Sequence, residues 1–138
     1  MDLRKLVRDP KRMREGEWIP LGPEWYDLEV CVKALGHEYN DRLNHRNRAL
    51  ARAFNGREIP SSEASTAVVE TLIECALTNV RGPLKGEPVT LDGKPIDLDT
   101  FCELLRDPGS AELVNAVIMA TARVGRNSQQ DKDAAKGN

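Results

Sequence analysis

The sequence predicts an α+β fold, mostly α: an N-terminal β-hairpin followed by about four helices, with a disordered C-terminal tail. Three observations carry this. Leu28, Val30, Val32 and Ala34 alternate with Glu29, Cys31 and Lys33, the period of a strand with one buried face. From Tyr39 onward apolar residues recur at helical steps instead, as Tyr39, Leu43, Leu50 and Phe54 do. After Gly125 the sequence RNSQQDKDAAKGN has no apolar residue larger than Ala and cannot contribute to a core.

Taken in order, residues 1–15 form a basic N-terminal segment, 16–125 a single α+β domain and 126–138 the tail. Residues 2–14 suggest a short helix with Leu3, Leu6 and Val7 on one side, broken at Pro10. EGEWIPLG is the antiparallel partner of the alternating strand, joined to it through Gly22-Pro23-Glu24, and Pro20 confines it to an edge. The Tyr39–Phe54 helix ends at Asn55-Gly56. Ser61 or Ser62 caps a further helix with Ala64, Val68, Leu72, Cys75, Ala76 and Val80 inward, stopped by Gly82-Pro83. Asp92-Gly93 is a type I′ turn in a short ribbon that sets Leu91 opposite Ile96. Asp97 or Asp99 then caps a helix burying Leu98, Phe101, Leu104 and Leu105. Asp107-Pro108-Gly109 ends it, and Ser110 caps a last helix burying Leu113, Val117, Ala120 and Val124.

Composition narrows the functional classes. The chain has 138 residues, 40% hydrophobic and 30% charged, enough for one core without staples. Its net charge of −2 divides unevenly: residues 1–57 hold 12 Lys/Arg and 9 Asp/Glu, a balance of +3, while residues 58–138 hold 8 and 13, a balance of −5. That asymmetry suits self-association or a charged partner more than a dedicated nucleic-acid binder. Cys31, Cys75 and Cys102 are widely spaced with no CxxC, as reduced thiols are. The basic start has no apolar run behind it, which predicts no secretory leader, and the longest apolar run, AVIMATA at 116–122, is too short for a membrane span.

No constellation for chemistry emerges. His37 and His45 lie about 12 Å apart along one helix, without further ligands at metal-site spacing. No base accompanies Cys31 in sequence, and Cys75 and Cys102 sit on apolar faces. Phosphate-cradling glycine motifs are missing. Asp97, Asp99 and Glu103 read as helix-start carboxylates. The expectation is a protein without catalytic residues, cofactor or metal. Arg42, Arg46, Arg48 and Arg52 on one helix are the best argument for phosphate contacts, set against Glu38 and Asp41 in its first turn.

Three of the six aromatics, Trp18, Trp25 and Tyr26, crowd into residues 16–34. Rings on either side of a turn pair across antiparallel strands, so one Trp is expected to staple the hairpin and the other, with Tyr26, to anchor a partner. Trp18, Trp25, Tyr26, Arg42 and Arg46 are therefore the partner-binding candidates.

The order of these features resembles the tail assembly chaperone family of long-tailed bacteriophages and prophages. The likeness rests on GEW at 16–18, LEVCVKALG, the helix end ALTNVRG, the turn VTLDGKPI, and the helices DLDTFCELLRDP and SAELVNAVIMATARV, over roughly residues 3–125. Where family members often carry Asp-Trp before the glycine at that helix end, Asn79-Val80-Arg81-Gly82 stands here. The resemblance implies a non-enzymatic role in virion tail morphogenesis: binding tape measure protein and tail tube protein in the cytoplasm of the infected or lysogenic host, and absence from the mature virion. Two other readings stand beside it. One is a structural head–tail connector or tail completion protein, and the other a small nucleic-acid-binding regulator using the helix 42–52.

Overall fold

The computed structural model describes residues 2–83 and 86–126. Its elements run α1 (Pro10–Glu15), β1 (Glu17–Pro20), β2 (Glu29–Val32), α2 (His37–Phe54), α3 (Ser61–Cys75), β3 (Leu77–Arg81), β4 (Thr90–Leu91), β5 (Lys94–Pro95), α4 (Leu98–Arg106) and α5 (Ala111–Arg123). The α+β, mostly α architecture with an N-terminal hairpin is present. The tail expected at 126–138 lies, beyond Arg126, outside the described residues.

β1 and β2 pair antiparallel with Trp18 opposite Cys31 and Ile19 opposite Val30, and β1 is an edge strand ending at Pro20. Leu28, Val30 and Val32 are buried, as their alternation requires. The sheet has a third strand, which corrects the reading of 77–81 as helix. β3 pairs antiparallel with β2, setting Val30 against Val80 and Glu29 against Arg81. Leu72, Ala76 and Val80 fit a helical step of four, but the helix ends at Cys75 and Val80 is buried from a strand. The physical reason is backbone satisfaction. A two-stranded hairpin would leave one edge of β2 unbonded against the core. β3 fills it, with Lys33 N–H donating to the Ala76 carbonyl at 2.9 Å and Thr78 Oγ1 to the Cys31 carbonyl at 2.9 Å.

On the inner face of the sheet α5 lies against β1 and β2, while α4 packs on α3 and β3. Val30, Val32, Leu72, Phe101, Leu105, Val117 and Val124 are fully buried between them. Burial of α3 runs through Ala67, Val69, Thr71 and Leu72, whereas Ala64 is exposed and Val68 and Cys75 only half-buried. Pro60, not Ser61 or Ser62, holds the N-cap position of α3. Asp97 caps α4 through the Thr100 N–H at 2.7 Å. Ser110 precedes α5 without a side-chain cap bond. Asp92 (φ 52°) and Gly93 (φ 79°) form the ribbon's turn, but Leu91 pairs with Lys94, and Ile96 bonds back to Val89.

The N-terminal segment is also corrected. Pro10 starts a helix instead of breaking one: Asp9 caps α1, and Pro10 occupies the first turn, where its missing N–H costs nothing. Leu3, Leu6 and Val7 lie exposed in and after a preceding 3-10 turn. Residues 8–17 then fasten the end of α5. Arg8 donates to the carbonyls of Val124 (2.7 Å) and Thr121 (2.9 Å), and Arg12 to that of Arg126 (2.8 Å). Asp9 N–H bonds the Gly125 carbonyl at 2.8 Å, and Gly125 N–H bonds Glu17 Oε2 at 3.0 Å. Orphan carbonyls at a helix C-terminus are satisfied here by guanidinium groups. Gly125 has φ +80°, and a Cβ there would lie 3.0 Å from the Asp9 carbonyl oxygen.

Candidate partner-binding groove

The loop between β1 and β2 is built by its turn chemistry. Gly22 and Pro23 open a 3-10 turn over Pro23–Trp25, closed by Trp25 N–H to the Gly22 carbonyl (3.0 Å) and Tyr26 N–H to that of Pro23 (3.1 Å). Tyr26 (φ 55°) and Asp27 (φ 56°) are both left-handed. Such residues cost of order 1–3 kcal/mol each and persist where the surroundings over-determine them. The constraint here is the pairing of Leu21 N–H with the Leu28 carbonyl at 2.8 Å, which closes the loop after a reversal of only six residues.

The sequence expectation that Trp25-Tyr26 opens the strand is therefore corrected, since β2 begins at Glu29. Cross-turn pairing of the two tryptophans is replaced by two separate roles. Trp18 lies on the outer sheet face opposite Cys31, with the Arg81 guanidinium 4.0 Å above its ring and Arg81 in turn paired with Glu29 at 2.7 Å. Its ring thus meets β3 across the outer face of the sheet. Trp25 is half-buried against the core, and Tyr26 beside it is 79% exposed.

Between this loop and α5 runs an open groove of about 590 Å³. Leu21, Glu24 and Trp25 form one side. The other is the outward stripe of α5, with Glu112 and Asn115 at its start, Ala116, Met119 and Ala122 along its middle and Arg123 at its end, continued by Arg126 beyond the helix. Met119 is 60% exposed. The groove is thus apolar in its centre, acidic at one end and basic at the other. No lining side chain is a cysteine, serine, histidine or lysine. Sequence reasoning assigned only the inward residues of α5 and missed this stripe. The available signal was the run AVIMATA, which is apolar around more of the helix than one buried face needs.

Arg42 and Arg46 are placed elsewhere and serve a different purpose. Both pair with Glu74 on α3, Arg46 at 2.8 Å, and Arg46 also donates to Thr71 Oγ1 at 3.0 Å. Arg42 further pairs with Glu38 one turn earlier, at 3.6 Å. The hydrogen bond from Arg46, with both positive charges, holds the Glu74 carboxyl below its usual range. These arginines brace α2 to α3, so their charge is already matched and is a poor offer to a phosphate. A smaller hollow of about 370 Å³ over this cluster also includes Asp41 and His45.

The remaining candidates do not converge. His37 and His45 are exposed. Burial pushes the Cys75 and Cys102 thiols up, and Glu38 and Glu74 add to the effect at Cys75. A raised thiol is a poor nucleophile. Among the described residues no group of three His, Cys, Asp or Glu side chains is placed to hold a metal ion, and no helix is long and apolar enough to cross a membrane. Comparison with protein-family models, with curated proteins and with solved structures gives no match to this chain.

Proposed function

We propose that this chain is a non-enzymatic tail assembly chaperone, which covers apolar segments of the tape measure protein and engages tail tube protein during virion morphogenesis. The observation that supports it is the Trp25–Met119 groove, a shallow apolar surface with charged ends on an otherwise well-packed domain. A chaperone must hold a partner reversibly, and an open groove with a polar rim does so where a deep pocket does not. Tryptophan is a common anchor of such surfaces, and methionine adapts to varied apolar shapes. The choice of partner rests on the resemblance in motif order from Gly16-Glu17-Trp18 to the last helix.

Co-expression with the product of a long helical reading frame next to this chain's gene, the tape measure protein that this reading expects there, is the test. The expected result is a soluble tape measure protein that co-purifies with this chain and is lost to the pellet with the Trp25→Ala variant. A tape measure protein that stays insoluble and is not captured refutes it.

A further inference from the structure

We infer that the groove's occupant is an amphipathic α-helix lying antiparallel to α5, acidic in its first turn beside Arg123 and Arg126 and basic in its last turn beside Glu112. This rests on the reading of the groove as a polypeptide-binding surface and adds the chemistry and direction of what it binds.

The dimensions select a helix. The lining residues on α5 run from Glu112 to Arg123, about 17 Å at a helical rise, which matches three turns of an opposing helix, and Arg126 lies just beyond its end. Ala116 and Ala122 flank Met119 with side chains small enough for two helix axes to approach within about 8–10 Å. An extended peptide would need free backbone donors and acceptors along the wall. Along α5 the peptide groups bond within the helix, and the Thr121 and Val124 carbonyls at its end are taken by Arg8; on the other side the Leu21 and Trp25 N–H groups are already given to the Leu28 and Gly22 carbonyls.

The charges select a direction. At the C-terminal end of α5, Arg123 gives one nitrogen to the Pro20 carbonyl and Arg8 bonds two carbonyls, but among the described residues neither they nor Arg126 pairs with a carboxylate. Burial, and then the positive charge of Arg126, lower the pKa of Arg8. At the other end Glu112 has no cationic partner among the described residues. An occupant that neutralises both poles carries acids at one end and bases at the other. A helix is most stable with acids in its first turn and bases in its last, because these oppose its own dipole. The two requirements agree only when the occupant runs opposite to α5.

The test uses the full chain and two 18-residue helical peptides of identical composition, each with an apolar stripe of Leu and Ala. One carries Glu in its first turn and Lys in its last, and the other has them exchanged. Calorimetric titration should show a roughly tenfold preference for the first, about 1.4 kcal/mol, collapsing in 1 M salt, where the screening length is about 3 Å. The double variant E112K/R126E, both positions being exposed or half-exposed, should reverse the preference. Equal affinity for both peptides, or heat from neither, overturns the inference. If the tape measure protein is still captured through Trp25 in that case, the chaperone reading survives without the directional helix. If it is not captured, both fall. Binding of both peptides lost only on adding excess Leu3–Val7 segment, with equal affinities, would assign the groove to the chain's own exposed N-terminal turn and also overturn the inference.

Discussion

Replacing Gly125 by Ala should be among the most damaging single-methyl changes available to this chain. Two costs combine. Gly125 sits at φ +80°, where an L side chain costs about 1–2 kcal/mol. The new Cβ would also lie 3.0 Å from the Asp9 carbonyl oxygen, 3.0 Å from Met13 Cγ and 3.2 Å from the Asp9 nitrogen. Two of those three atoms are backbone, and forcing them apart strains the bond that Asp9 N–H makes to the Gly125 carbonyl. Overpacking of this kind costs about 1–3 kcal/mol. The sum is about 2–5 kcal/mol, or a Tm lower by roughly 10 °C or more in a chain of this size. Gly56 is the control, with φ +81° and nothing within 4 Å of an added Cβ. Gly56→Ala carries the conformational cost of about 1–2 kcal/mol alone, and both variants share the same gain from a stiffer unfolded chain. Urea unfolding of the two variants at unchanged m reads the difference directly. Equal losses would mean that the N-terminal segment does not clamp the end of α5, and that the basic end of the groove is not fixed as described.

Leu72 is fully buried and Trp25 half-buried at the groove. Leu72→Ala should cost about 2–5 kcal/mol of stability and leave partner affinity intact in the folded fraction. Trp25→Ala should cost less than about 2 kcal/mol of stability and weaken partner binding roughly 30-fold or more, the behaviour of an interface anchor; equal stability losses would refute that division. Glu74→Gln should lower Tm at pH 7, because a carboxyl whose pKa is depressed by folding stabilises above its ordinary range. That deficit should shrink as pH falls through the ordinary carboxylate range and vanish below the depressed value, and a deficit that persists in acid would deny the ion pairs with Arg42 and Arg46. Cys102, buried and with its thiol pushed up, should resist iodoacetamide in the folded protein while half-buried Cys31 on the outer sheet face reacts. Mass spectrometry of the labelled chain checks this, and comparable rates at the two positions would contradict the packing of α4.

The parts of the fold that were legible in the sequence are those where local pattern and tertiary need agree. Leu28, Val30 and Val32 could only alternate usefully in a strand, and Asn55, at φ 47°, ends α2 where Asn-Gly predicted. β3 was illegible because Leu72, Ala76 and Val80 satisfy a helical step while the open edge of β2, forty-odd residues earlier, supplies the stronger demand. Pro10 is ambiguous by nature, since a proline breaks a helix interior and begins a helix equally well. At the groove, Gly22-Pro23 announces a turn, but Tyr26 carries no signal for a left-handed backbone and Asp27 only a weak one, so the local pattern places Trp25 at the start of a strand. Arg42 and Arg46 looked like an exposed basic face because Glu74, their partner, arrives from another helix 28 to 32 residues away. Trp25 is conspicuous in the sequence as a large ring beside a turn, but the stripe of α5 that gives it a surface needs the fold, and Tyr26 stays outside that groove.

Hydrogen–deuterium exchange on the complex with co-purified tape measure protein bears most directly on the role of the groove. Backbone amides in residues 21–28 and in residues 112–126, α5 and the turn after it, should slow relative to the free chain, with α2 and α3 unchanged. Slowing confined to α2 and α3, with the groove exchanging as in the free protein, would contradict the assignment of Trp25 and Met119 as the partner-binding surface.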